Sequence, residues 1–180
     1  MTRRSAFRHA IAIGSLVFCL PIVAAAQASK SIAVAKDLAQ VLDDKKLDAI
    51  AAKDPSAPDR FVAALYFRGS QLLVISGQYS VPALMDTRIA QKQYRDVYVE
   101  VSGAAPKDSK IFVQDMGVPG LTQKKVNNLF DTWAQGDKQV MFNGDWDKQK
   151  MSESEYQKMF AAADDEYTKL LGALLTEAKK

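Results

Sequence analysis

Apolar residues return every three or four positions near both ends of the chain. Between Ser31 and Lys46 they alternate with charged residues, which predicts an amphipathic helix. Near the other end, Ser152 and Glu155 have the spacing of a capping box, and the apolar positions that follow keep helical spacing through Leu174. The pattern therefore predicts a helix at each end, and the second one is long, terminal and packed on the core.

The centre of the chain has the two-residue period of strands. "FVAALYFRGSQLLVIS", residues 61–76, predicts a hairpin that turns at Gly69. Its first strand is apolar on both faces, so we expect burial on both sides, as in a barrel or under helices. "DVYVEVSG" (96–103) and "KIFVQDMG" (110–117) predict two further antiparallel strands, and residues 139–142 are compatible with another. Residues 47–53 fit either the end of the first helix or a short strand.

Two shorter helices complete the predicted order. Ser80 as an N-cap, with Pro82 in the first turn, predicts a linking helix that reaches about Tyr94. Thr122 as an N-cap, followed by apolar positions 126, 129, 130 and 133, predicts another helix. The fold class is therefore α+β. An antiparallel or split-barrel-like sheet would be packed by an N-terminal helix, the linking helix and a long C-terminal helix.

Residues 1–28 have the plan of a secretory signal peptide. Three arginines precede an apolar run at 10–23, and Ala26 and Ala28 place small residues where a signal peptidase cleaves. The run is shorter than the ~20 residues that span a bilayer. We expect cleavage before Ser29, a periplasmic location without membrane attachment, and one globular domain over residues 29–180.

Removal of this leader would change the chemistry available to the protein. Three of the 24 basic residues and none of the 21 acidic residues would leave, so the mature domain would carry 21 of each. This balance argues against nucleic acid as a partner, because its binding needs clustered positive charge. His9 and Cys19, the chain's only histidine and cysteine, would leave as well. Histidine-based triads, thiol redox chemistry and zinc, copper or haem ligation are thereby excluded for the mature domain.

The acidic residues predict two further candidates, both of which have simpler interpretations. "NGDWD", residues 143–147, has the ligand spacing that begins a calcium loop, but Lys148 and Ser154 replace the required glycine and glutamate. We therefore expect a tight turn there, with Trp146 packed on the terminal helix, and no metal site. A carboxylate hydrolase would need a buried pair of acids near the strand ends. The candidates for such a pair are Asp54, Asp59, Glu100 and Asp115.

The run from Leu47 to Gly117 resembles, in its order of elements, the flavin-binding split barrels related to pyridoxamine phosphate oxidase. The chain also resembles small exported proteins of proteobacteria, which implies no particular chemistry. The split-barrel resemblance implies an FMN phosphate held around the second hairpin strand and the linking helix. The residues there that could contact it are Ser76, Gln78, Ser80, Arg88 and Lys92. "SGQYSVP" departs from the family, because it has no basic residue where the family commonly has one.

The sequence favours an exported, non-catalytic binding or accessory domain. Its cleft, for an unidentified small molecule or protein partner, would lie beside the buried hairpin, and no cofactor is expected. The sequence is also compatible with a homodimer. The alternative is an FMN-binding split barrel or a flavin-dependent oxidoreductase, as the resemblance implies.

Overall fold

The computed structural model of the chain describes residues 29–78 and 109–180. Its helices are α1 (Ser31–Asp44) and α2 (Glu153–Ala178). Its strands are β1 (Ala49–Lys53), β2 (Arg60–Phe67), β3 (Gln71–Gln78), β4 (Ser109–Met116), β5 (Asp131–Gln135) and β6 (Lys138–Phe142). The predicted linking helix at 80–94 and the predicted strand at 96–103 lie outside the described residues.

The described strands form one antiparallel sheet in which every strand lies beside its neighbours in sequence. The predicted α+β class with an antiparallel sheet is therefore confirmed. The predicted hairpin is β2 and β3, and the strand expected near 139–142 is β6. A two-residue turn joins β5 to β6, and Gly136 takes there the positive φ of 58° that such turns favour.

One face of the sheet packs against the helices. α1 lies against α2, and α2 also contacts β1 and β2. The register places on this face a buried apolar set drawn from all six strands, namely Ile50, Val62, Val74, Ile111, Val113, Trp133, Val140 and Phe142. Phe142 makes T-shaped contacts with the rings of Tyr156 and Phe160, at centroid distances of 5.8 and 5.0 Å.

The opposite face of the hairpin is also buried. Phe61 and Ala63 are 0% exposed and Ile75 is 2% exposed, although their side chains point away from the helix-facing set. The expectation of burial on both faces is thus confirmed for most of β2. It ends at Phe67, the last residue of the strand, which is 48% exposed.

Local chemistry fixes the ends of both helices. Lys46 has a φ of 54°, its N–H donates to Asp43 O, and the Leu47 N–H donates to Leu42 O. This Schellman motif ends α1 at Asp44, two residues before the predicted end. Residues 47–53 are thereby free to form β1, which resolves the ambiguity in the sequence. The predicted capping box is confirmed, because Ser152 and Glu155 exchange both of its hydrogen bonds at the start of α2.

The predicted helix from Thr122 is wrong. Asn127 and Asn128 have φ values of 52° and 63°, and Val126 and Leu129 exchange two backbone hydrogen bonds across them. These are the features of a type I′ turn, which asparagine tolerates because its short side chain permits positive φ. The chain then enters β5, where Trp133 points toward the helices.

The turn before α2 takes the predicted form. Asn143 Oδ1 accepts the Asp145 N–H at 2.9 Å, and Trp146 packs on Tyr156 with ring centroids 6.3 Å apart. Residues 29–78 and 109–180 contain no group of three potential histidine, cysteine or acidic metal ligands. Neither α1 nor α2 is long and apolar enough to cross a membrane.

Candidate functional site

A pocket of about 460 Å³ opens between the middle of α2 and the adjoining ends of β4 and β5. We call it the α2 pocket. Its apolar lining is Trp133, Met159, Ala162 and Ala163, and its polar lining is Ser56, Lys110, Gln135, Glu166 and Lys169. An apolar wall with a few convergent polar groups is typical of sites for small molecules.

A β-bulge brings Lys110 into this pocket. Ser76 pairs with Ile111, whereas the next residue, Gly77, pairs with Ser109, so Lys110 is the extra residue of β4. A regular strand would place Lys110 on the face opposite the buried Ile111. The bulge re-aims its side chain, and Lys110 Nζ lies 3.5 Å from Glu166 Oε1 on α2. The bulge therefore brings one of the two lysines that line the pocket into place.

The charges at the pocket are only loosely paired. Glu166 lies between two ammonium groups, with 3.5 Å from its Oε1 to Lys110 Nζ and 3.5 Å from its Oε2 to Lys169 Nζ. Both distances exceed the 2.7–2.9 Å of a strong charge-assisted hydrogen bond. The Lys110 and Lys169 side chains are 27% and 60% exposed. The part of the pocket that the structure describes thus has two cations against one anion, and its excess positive charge could be shared by a bound anion.

A second set of charged groups is fully enclosed. Asp115 and Asp131 lie on the helix-facing side of β4 and β5 and are 0% and 1% exposed. Asp131 accepts the N–H groups of Met116 and Thr122, at 2.8 and 2.6 Å. Asp115 Oδ2 accepts the Gly120 N–H at 3.1 Å and the Tyr167 O–H at 3.0 Å. Both carboxylates therefore hold the loop between β4 and β5.

Burial makes these two carboxylates hard to ionise. Desolvation, reinforced by the charge of Asp131, raises the pKa of Asp115 to about 8. Desolvation alone raises the pKa of Asp131 to about 6, against the opposing hydrogen bonds from backbone N–H groups. The pKa of Tyr167 is also raised, chiefly by burial and then by Asp115. Asp115 Oδ1 has no hydrogen-bond partner among the described residues, so the neutral acid suits this enclosure.

Asp164 of α2 extends the same network to the N-terminal helix. It is 5% exposed and accepts the N–H groups of Lys30 and Ser31, at 2.6 and 3.1 Å. α1 has no side-chain cap of its own, and Asp164 supplies one from another element. We call Asp115, Asp131 and Asp164 the carboxylate anchor.

Only one member of the buried pair of acids that a hydrolase would require comes from the predicted candidates. Asp115 is buried beside another acid, but that acid is Asp131, which the sequence did not single out. Asp54 is also buried, and its described hydrogen-bond partners are the Ser76 hydroxyl and the Ser56 N–H. Asp59 is exposed, and Glu100 lies outside the described residues. The anchor does not line the α2 pocket.

Only one of the predicted cofactor-binding residues has a described side chain. Ser76 is 0% exposed, faces the helices and donates its hydroxyl to Asp54. Gln78 ends β3, where its backbone pairs with Arg60. Ser80, Arg88 and Lys92 lie outside the described residues, so their roles stay predictions. Within the described ranges the structure brings none of the predicted set to the α2 pocket.

The residues of the α2 pocket were missed because their sequence signals fit other structures. Trp133 belongs to the apolar spacing that predicts a helix from Thr122, and Glu166 follows two other acids in a charged stretch that is typical of a solvent-exposed helix face. The i,i+3 spacing of Glu166 and Lys169 was a usable signal for one ion pair. No local pattern indicates the bulge at Lys110.

Comparisons with protein-family models, with curated proteins and with solved structures find no match for this chain. The α2 pocket and the carboxylate anchor are therefore interpreted from their own geometry.

Proposed function

We propose that this protein is an exported, non-catalytic binding domain whose α2 pocket accepts a small amphipathic anion. The observation that carries the proposal is the pocket itself, in which Trp133 and Met159 form an apolar wall beside Lys110 and Lys169. An apolar ligand body would rest on that wall, and an acidic group would share the two ammonium groups with Glu166.

The same geometry favours binding over catalysis. Glu166 is the one carboxylate among the described residues of the lining, and both of its oxygens face lysines. The acids with raised pKa values, Asp115 and Asp131, are enclosed and hydrogen-bonded to backbone N–H groups. A general acid or base must reach the proton that it transfers, and these two groups are closed to a ligand in the pocket.

The cleft predicted from the sequence was beside the hairpin, and the α2 pocket has a related position. Ser56, which lines it, lies in the loop between β1 and β2, and Lys110 lies on the strand next to β3. The flavin alternative stays a prediction, since most of its candidate residues lie outside the described ranges. It supplies a second outcome for the binding experiment.

The experiment uses Trp133 as the reporter. The chain has two tryptophans, and Trp146→Phe would leave Trp133 alone. The fluorescence of this variant is titrated with 4-phenylbutyrate, 4-phenylbutanol and 4-phenylbutylamine, which share one apolar body and differ in charge. We expect saturable change with the anion, weaker change with the alcohol and the weakest with the amine.

A matched pair of variants locates the binding. Ala162 and Ala161 are adjacent exposed residues of α2, but only Ala162 lines the pocket. Ala162→Phe should fill the pocket and abolish the titration, whereas Ala161→Phe should leave it unchanged. Equal behaviour of the two variants, or no response to any of the three compounds, would contradict the proposal. A flavin that copurifies and is retained by both variants would support the alternative instead.

A further inference from the structure

Residues 29–31 all donate hydrogen bonds to one carboxylate, Asp164 of α2. Ser29 Oγ donates to Asp164 Oδ1 at 2.5 Å, beside the two backbone N–H groups that the same carboxylate accepts from Lys30 and Ser31. Ser31 Oγ accepts the Leu121 N–H at 2.9 Å and lies 3.0 Å from Ser29 Oγ. Residues 29–31 are therefore held by α2 and by the loop between β4 and β5.

Among the described residues, the charges around Ser29 are unbalanced. Asp164 and Asp165 contribute two negative charges, whereas Lys30, whose Nζ lies 2.6 Å from Asp165 Oδ1, contributes one positive charge. Asp164 is the more costly of the two acids to leave without a charged partner, because it is 5% exposed and the Asp165 side chain is 52% exposed. One further cation beside Asp164 would balance the cluster.

Cleavage before Ser29 would create that cation. The backbone nitrogen of Ser29 is three covalent bonds from its own Oγ, so the two atoms are no more than about 4 Å apart. Because Oγ touches Asp164, the nitrogen lies within roughly 6 Å of the carboxylate, a range in which opposite charges attract appreciably. An amide nitrogen at this position carries no charge, whereas a free N-terminus is an ammonium.

We infer that Asp164 is a binding site for the α-ammonium group that leader removal creates at Ser29. This inference rests on the proposed export, because it takes the predicted cleavage position as its premise. Formation of the ion pair would strengthen the docking of α1 on α2, and the exported form would be more stable than a form with a blocked or extended N-terminus. Removal of the leader would then complete the fold.

The test compares two preparations of residues 29–180 that differ only in an acetyl group on the Ser29 nitrogen. One has a free amino group at Ser29 and the other is acetylated there, and thermal unfolding is followed by circular dichroism. We expect the free form to melt about 2–4 °C higher, the shift that a partly buried ion pair gives in a domain of this size. Equal midpoints would overturn the inference.

Two substitutions show whether the effect acts through Asp164. Asp164→Asn should remove the difference between the free and acetylated forms, and Asp165→Asn, a neighbouring exposed acid on the same helix, should preserve it. If Asp164→Asn does not fold, the comparison of the two wild-type forms and a third form extended by Ala28 still decides the question. The extended form should melt with the acetylated one.

The mass of the product exported from the full chain tests the premise separately. A mass that begins at Ser29 supports the cleavage position. Another start overturns the biological role even where the free and acetylated forms differ, and failure of the α2 pocket to bind an anion affects neither result.

Discussion

The α2 helix carries charged side chains into two regions that treat them differently. In the carboxylate anchor, Asp164 and its partners on β4 and β5 are at most 5% exposed and accept backbone N–H groups. At the α2 pocket, two residues further along the helix, Glu166 meets two lysines at 3.5 Å while all three side chains keep contact with solvent. Side chains that accept hydrogen bonds from backbone N–H groups stabilise the fold, whereas loosely paired charged side chains beside an apolar wall are available to bind a ligand.

The largest expected effect is a pH dependence that arises from two residues of the anchor, Asp115 and Asp131. Asp115 and Asp131 have pKa values near 8 and 6 in the folded state against 3.8 for the free group, so the folded state binds more protons than the unfolded state above pH 4. The free energy of unfolding should therefore fall, by several kcal/mol, as the pH rises from about 4 to about 8.

Asp115→Asn isolates this effect. It keeps an oxygen acceptor for the Gly120 N–H and Tyr167 O–H and removes the titration. Urea unfolding at several pH values should show a slope reduced by up to about 1.4 kcal/mol per pH unit, and a variant more stable than the wild type near pH 8. The exposed control Asp165→Asn should retain the wild-type slope, and an unchanged slope in Asp115→Asn would mean that Asp115 is ionised in the fold.

The second largest effect concerns the close approach of the loop between β4 and β5 to α1. Gly120 has a φ of 89°, and a Cβ atom there would lie 2.5 Å from Ile32 N. Gly120→Ala should reduce the free energy of unfolding by about 3 kcal/mol or more, because it adds a backbone clash to an unfavourable conformation. Gly69→Ala has a similar φ of 75° and open space around it, so it should cost only about 1 kcal/mol. If urea titrations showed equal losses of unfolding free energy for the two variants, they would contradict the close contact between Gly120 and Ile32.

The α2 pocket should respond in binding and not in stability. Lys110→Met keeps most of the side-chain stem and removes the charge, so we expect about fivefold weaker binding of 4-phenylbutyrate, or ~1 kcal/mol. Glu166→Gln removes the competing carboxylate and should strengthen binding by a similar factor. Lys158→Met changes an exposed lysine of α2 outside the pocket and should do neither. Fluorescence titration in the Trp146→Phe background measures all three.

The smallest effect belongs to exposed ion pairs outside both regions. Lys148 and Asp145 form one at 2.8 Å, with 77% and 37% of their side chains exposed. Lys148→Gln should change the free energy of unfolding by less than about 0.5 kcal/mol, because solvent and salt screen such pairs. If Lys148→Gln lost as much unfolding free energy as a substitution in the carboxylate anchor, burial and backbone hydrogen bonds would not explain why the anchor is important for stability.

The elements that the sequence predicted correctly are those whose signal is local. The capping box at Ser152, the two-faced apolar strand at Phe61 and the period of α1 depend on neighbouring residues. The helix predicted from Thr122 failed because the Asn127-Asn128 turn overrides an apolar spacing that also fits a strand. Turn chemistry of this kind is readable in sequence, and it was outweighed by periodicity.

The candidate site was beyond local signals. The α2 pocket depends on a register shift that turns Lys110 toward Glu166, a residue on another element and 56 positions away. The carboxylate anchor likewise joins Asp115, Asp131 and Asp164 from three elements, β4, β5 and α2. In a single sequence each of these acids looks like an ordinary polar position. Its burial depends on residues of other elements that pack against it in the fold.

The most direct measurement of the central claim is an amide and indole NMR titration of residues 29–180 with 4-phenylbutyrate. We predict saturable shifts for the indole N–H of Trp133 and for the amides of Lys110 and Glu166. The indole of Trp146 and the amides of Met116, Gly120 and Thr122, which the anchor holds, should stay fixed. Shifts centred on the anchor, or none at Trp133, would contradict the assignment of the α2 pocket as the binding site.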